Sequence, residues 1–184
     1  NTITGNSASN ILNGGLGNDI LNGGLGVDTL LGGAGDDLYF VDDATEVITE
    51  LAGEGKDFVR STVTYTLGDN VENLTLLGTA AVNATGNIMK NVLIGNKADN
   101  ILTGGRSKDF LTGGLGADTF DFNSVADSFA GVKHDIVKDF VHLTDKIDLL
   151  NGDANSLTAG NGTFTFLEGL GSAFTGVAGQ LHFV

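Results

Sequence analysis

The sequence predicts an all-β parallel β-roll: a right-handed β-solenoid of nine-residue glycine-rich repeats in two arrays, closed by a C-terminal β cap. Three observations carry this expectation. Gly14 to Phe40 is one nonapeptide written three times, GGLGNDILN, GGLGVDTLL and GGAGDDLYF. Glycine returns at the same period at Gly86, Gly95, Gly104 and Gly113. With 29 Gly and no Pro, Cys or Trp, the chain has few large side chains for a conventional core, and repeats favour a quasi-linear array over a globule.

Each unit is six loop-forming residues, GGxGxD, and then three residues with an apolar side chain at the eighth position: Leu21, Leu30 and Tyr39. Nine residues are too few for a helix plus a strand but enough for a tight turn and a very short strand. Glycine at positions one, two and four permits left-handed backbone and close approach of another segment. A chain that reverses after every short strand needs two units per coil, so each unit stacks on the next but one, about 4.8 Å away. Asp19 then lies over Asp37.

Such a gap holds two carboxylates and several loop carbonyls, an environment for a hard cation. Calcium accepts about six to eight oxygens in irregular geometry, whereas magnesium requires a near-ideal octahedron. A flexible Gly-rich linker, the alternative, has no fixed apolar position and no fixed Asp. The most complete site combines Asp19 and Asp37 with the carbonyls around Gly14, Gly15, Gly17, Gly32, Gly33 and Gly35. A second uses Gly23, Gly24, Gly26 and Asp28, with Asn10 or Glu46 opposite.

The first array spans 1–49. Gly5 opens a degenerate unit, GNSASNILN, and Val41 opens VDDATEVIT, which keeps Glu46 and Ile48 at the sixth and eighth positions. Glu46 falls 18 residues after Asp28; it is either a ligand or part of a solvated acidic loop with Asp42 and Asp43. The connecting segment, 50–77, loses the period, and the alternation in FVRSTVTYTL marks one longer strand.

The second array spans 78–127. Its units GNIMKNVLI and GNKADNILT carry Asn91 and Asn100 in place of Asp, and an amide can hydrogen-bond across coils without a metal. GGRSKDFLT has Gly104, Gly105 and Asp109, but Ser107 replaces the third Gly, and the cations Arg106 and Lys108 sit beside the site. GGLGADTFD is complete, with Gly113, Gly114, Gly116 and Asp118, the last pairing with Asn100. Asp127 stands 18 residues after Asp109. In 128–184, HDIVKDFVHLTDKIDLL reads as two strands joined at His142 to Asp145, Gly152 to Gly162 as a loop, and Thr163 to Leu167 and Gln180 to Val184 as strands. This block is the expected cap.

The nonapeptide GGxGxDxUx resembles the RTX, or hemolysin-type, calcium-binding repeat at every position. GGLGADTFDFNSVADS, HDIVKDF, DKIDLL and FTGVAGQL together resemble the C-terminal domain of serralysin-type secreted metalloproteases. The resemblance implies several calcium ions between alternate units, with Asp127 and Asp135 as acidic ligands after the last repeat. It also implies export by a type I secretion apparatus as part of a larger parent chain.

A net charge of −14 argues against nucleic acid and anionic membrane surfaces. It also predicts self-repulsion of the metal-free chain, relieved when cations neutralise the Asp rows. Weak modular calcium sites suit extracellular, millimolar calcium, so a secreted module is expected; the resemblance implies a bacterial source, and a monomer is expected. No signal peptide and no membrane span are legible, and the start at Asn1 reads as that of a fragment. His134, His142 and His182 lack zinc-motif spacing, and no nucleophile elbow occurs. The chain is therefore expected to be a folding module without catalysis of its own. The alternatives are a substrate-binding tail of a secreted protease, lipase or polysaccharide epimerase, or an adhesin-like surface.

Overall fold

The structure is a computed structural model that describes residues 1–124, 127 and 134–149, with the strand backbone of 165–167 and 180–182. The Gly152 to Gly162 loop and most of FTGVAGQL lie outside the described residues.

Strands and loops alternate as the nonapeptide period requires. The first array contributes β1 (Thr2–Thr4), β2 (Ile11–Leu16), β3 (Ile20–Asn22), β4 (Thr29–Ala34), β5 (Leu38–Val41) and β6 (Val47–Thr49). The connecting segment contributes β7 (Phe58–Ser61), β8 (Tyr65–Thr66) and β9 (Asn73–Leu76). The second array adds β10 (Ala84–Thr85), β11 (Val92–Ile94), β12 (Ile101–Thr103), β13 (Phe110–Thr112) and β14 (Thr119–Asp121). Beyond it come β15 (Ile136–Val137), β16 (Lys146–Asp148), β17 (Thr165–Leu167) and β18 (Gln180–His182).

Among the described strands all pairing is parallel; from β1 to β16 odd and even strands go to opposite faces, and β17 pairs with β18 in a separate two-stranded sheet. One face is a single eight-stranded sheet in the order β1-β3-β5-β7-β9-β11-β13-β15. The other is divided into β2-β4-β6 and β8-β10-β12-β14-β16. Within the arrays the register advances by one coil per 18 residues, as in Leu21↔Tyr39 and Leu93↔Leu111. The two arrays therefore belong to one continuous solenoid, bridged through β7 and β9.

The core is two columns of eighth-position side chains. On the first face Ile3, Leu21, Tyr39, Val59, Leu74, Leu93, Leu111 and Val137 stand in register. On the second, Leu12, Leu30 and Ile48 form one stack, and Tyr65, Ala84, Leu102, Phe120 and Ile147 another. Leu93 is fully buried between Leu74 and Leu111. Leu93→Ala is expected to cost about 2–5 kcal/mol, because the rigid coils above and below cannot collapse into the hole; urea unfolding at saturating calcium measures it.

Two sequence expectations change. FVRSTVTYTL is not one strand but two, β7 and β8, which lie in different sheets. The corner forms at Ser61, whose buried hydroxyl donates to the Val63 carbonyl and accepts the Val63 N–H (2.7 and 3.1 Å). The alternation there records one side of the chain facing the core through a whole half-coil. The pair expected in HDIVKDFVHLTDKIDLL exists as β15 and β16, but they do not pair with each other. Each extends a sheet, β15 on β13 and β16 on β14.

Candidate calcium-binding rows

The strands deliver one acid or amide to the same place on each coil. Just before β3, β5 and β7 stand Asp19, Asp37 and Asp57, and their carboxylates form a ladder. The Asp19 N–H donates to Asp37 Oδ1 (2.7 Å) and the Asp37 N–H to Asp57 Oδ1 (2.9 Å). Farther along, the Asn91 N–H donates to Asp109 Oδ1 and the Asp109 N–H to Asp135 Oδ1, both at 2.7 Å. Along the opposite edge, Asn10 donates to Asp28 (2.7 Å), Asn100 to Asp118 (2.9 Å) and Asp118 to Asp145 (3.0 Å).

In the repeat units Asp28, Asp37, Asp109 and Asp118 each take a ladder bond on one carboxylate oxygen, and the other faces the glycine loop, as does Oδ2 of Asp19. Oδ2 of Asp19, Asp28, Asp37, Asp109 and Asp118 is buried and accepts no hydrogen bond among the described residues. A point one Cβ bond out from Gly14 lies 2.6 Å from Asp19 Oδ2 and 2.7 Å from the carbonyl oxygen of Gly32, one coil away. Only glycine leaves that space to the oxygens. Gly23, Gly104 and Gly113 face Asp28, Asp109 and Asp118 in the same manner. At positions two and four the requirement is a left-handed backbone: Gly15, Gly17, Gly24, Gly26, Gly33, Gly35, Gly105, Gly114 and Gly116 all have positive φ. Ser107 adopts it as well, at +88°, and its hydroxyl donates to the Ile88 carbonyl (2.8 Å).

Loops with Asn in place of Asp close on themselves. Oδ1 of Asn91 accepts the Asn87 N–H and Oδ1 of Asn100 the Asn96 N–H, at 2.7 and 2.8 Å. Their amide groups donate to backbone carbonyls, Asn91 to Val71 and Asn100 to Val82. The Asn loops thus satisfy their own polar atoms, whereas the Asp loops hold buried anionic oxygens that need a cation. Glu46 stands between the two cases: Oε1 accepts the Asp42 and Asp43 N–H groups, and Oε2 has no partner among the described residues.

Without a counter-charge, burial opposes ionisation. It raises the pKa of Asp109 to about 7, of Asp135 to about 8 and of Glu46 to about 7, and pushes Asp37, Asp118 and Asp127 upward. A divalent ion bound by oxygens removes that penalty.

Residues 1–39 and 85–120 match the family model of the RTX calcium-binding nonapeptide repeat, in four copies. Both segments are RTX repeats. They bind calcium ions, and the chain is a calcium-binding β-roll module. The matched segments contain Asp19, Asp28, Asp37, Asp109 and Asp118 with their glycines. Comparison with curated proteins found no match.

Outside the RTX matches, the acid whose carboxylate takes the Asp109 amide is Asp135, 26 residues on, rather than Asp127 at the 18-residue spacing. Asp127 stays close enough for its charge to raise the Asp109 pKa further, after burial. Lys108 does not enter the gap; its ammonium lies over the Phe110 ring (5.7 Å to the centroid), as do those of Lys90 and Lys138.

Sequence reasoning missed Glu50, Asp57, Asp139 and Asp145. Asp57 was legible in Gly55-Lys56-Asp57-Phe58-Val59, positions four to eight of the nonapeptide displaced by two residues. Asp139 accepts the Gly113 and Gly114 N–H groups (both 2.8 Å), and Asp145 the Val141 N–H (2.7 Å) besides that of Asp118. No local pattern marks them.

Proposed function

We propose that ordering of the RTX roll is coupled to extracellular calcium, and that the module supports type I secretion and stability of a larger parent protein. The carrying observation is the row of buried Asp oxygens without partners beside glycine carbonyls, in a chain of net charge −14. Several uncompensated carboxylates oppose assembly of the coils where calcium is scarce. Where it is abundant, each ion that binds only the folded state adds about 2.7 kcal/mol at a hundredfold excess over its Kd. The parent would therefore leave the cell unfolded and fold outside it.

A flat recognition surface fits less well. The outward row Thr4, Asn22, Phe40, Arg60, Thr75, Ile94 and Thr112 changes residue type at nearly every coil.

Far-UV circular dichroism of the chelator-treated chain tests the coupling. A cooperative transition from coil to strand with calcium, and none with magnesium at equal concentration, is expected. A chain already folded in chelator and unchanged by calcium would refute it and leave the Asn ladders and the apolar columns as the source of order.

A further inference from the structure

The loop 50–57 departs from the RTX pattern and builds a different kind of cation site. Its second half stacks as a repeat does. The Gly35 N–H donates to the Glu54 carbonyl (2.7 Å) and the Lys56 N–H to Asp36 Oδ1 (2.9 Å), matching Gly17 on Ala34 and Asp36 on Asn18 one coil earlier. Its first half differs. Thr49 pairs with Leu31, so Glu50 falls opposite Gly32, where a repeat would place a glycine. In the coil before, the Gly32 carbonyl faces Gly14. Here the Glu50 carbonyl is turned away and accepts the Asn70 side-chain N–H (3.0 Å). The Glu50 carboxylate takes its place, facing Gly32 together with Asp37 Oδ2 and the Tyr39 hydroxyl.

One carboxylate oxygen from each of Asp37, Glu50 and Asp57 lies within 4.8 Å of the other two, and all three residues are buried. Oxygens on opposite sides of a calcium ion are about 4.6–5.2 Å apart, so one ion fits among them. Asp37 Oδ2 and Glu50 Oε2 are buried without hydrogen-bond partners among the described residues. The Tyr39 hydroxyl donates to Glu50 Oε1 and positions that carboxylate.

We propose that Asp37, Glu50 and Asp57 form a calcium site of higher charge and affinity than the RTX sites, one that fills first. Three carboxylates replace the two carboxylates and a carbonyl of the Asp19–Asp37 gap, and calcium affinity in oxygen cages rises with ligand charge. The site joins the first array to the connecting segment, so filling it pins β5 to β7. Ordering then spreads outward coil by coil, as nearest-neighbour stacking permits.

The chain contains two tyrosines and no tryptophan, so terbium, a trivalent oxygen-seeking ion, reports on the site through tyrosine-sensitised luminescence. Terbium is titrated into the chelator-treated full chain with circular dichroism followed in parallel. The first luminescent phase is expected to survive Tyr65→Phe and vanish in Tyr39→Phe. Glu50→Gln is expected to raise the terbium concentration for that phase at least about tenfold, since affinity follows ligand charge. A first phase that persists in Tyr39→Phe, or that is unmoved in a Glu50→Gln chain folded at saturating calcium, overturns the proposal. If Glu50→Gln does not fold, the tyrosine pair decides alone. Wild-type circular dichroism tests coupled folding separately, so the two readings fail independently.

Discussion

Gly33→Ala is expected to destabilise the calcium-loaded roll by about 2–5 kcal/mol, and Gly15→Ala, the same repeat position one coil earlier, by only about 1–2 kcal/mol. The two glycines share one backbone conformation, φ +92° and +93°. A side chain at either bears the cost of the left-handed region, about 1–2 kcal/mol. At Gly15 that is the whole cost, because a Cβ there has no heavy atom within 4 Å. At Gly33 the Cβ would run into the Gly15 carbonyl, with the Gly15 Cα at 3.2 Å. The obstacle is backbone held by the Gly15↔Gly33 pairing of β2 and β4, so relief requires the coils to part. Overpacking of this kind adds about 1–3 kcal/mol. Urea midpoints of both variants at saturating calcium measure the difference. Equal losses would mean that coil spacing is not what demands glycine here.

The second large effect is the reversal of pH dependence by calcium. In chelator, burial holds Glu50 at about 7 and Asp57 at about 6, and Glu46, Asp109 and Asp135 at about 7, 7 and 8. These values stand above those of an unfolded chain, near 4. The folded state therefore binds more protons than the unfolded state between the two. Its stability is fully present below about pH 4 and is lost as pH rises through 6 to 8. The chelated chain is expected to be more ordered at pH 5 than at pH 8. With calcium the sign inverts, because the ion needs the same carboxylates ionised. The calcium concentration at the folding midpoint should fall about tenfold per pH unit for each proton displaced per ion. Circular dichroism at a series of pH values, with and without calcium, checks both arms. A calcium midpoint independent of pH between 6 and 8 would place the ions away from these acids.

Much of this molecule is local in origin. A nine-residue period with Gly, Asp and an apolar residue at set positions dictates loop, strand and stacking distance together, since two units close one coil. Leu21, Leu30 and Tyr39 could therefore be assigned to the core, and Asp19 over Asp37 to one gap, from spacing alone. The Asn units could be set apart for the same reason, because an amide supplies its own donors. Where coil length changes, counting fails. Asp57 stacks on Asp37 at 20 residues and Asp135 on Asp109 at 26, because the ladder keeps its register although the chain between these acids is longer than one 18-residue coil. Only the tertiary structure decided that the two arrays are one solenoid, since β7 and β9, which carry the pairing from β5 to β11, lie where the nine-residue period is lost. It alone placed Glu50 against Gly32, because a side chain could replace a carbonyl only where two distant loops were already stacked.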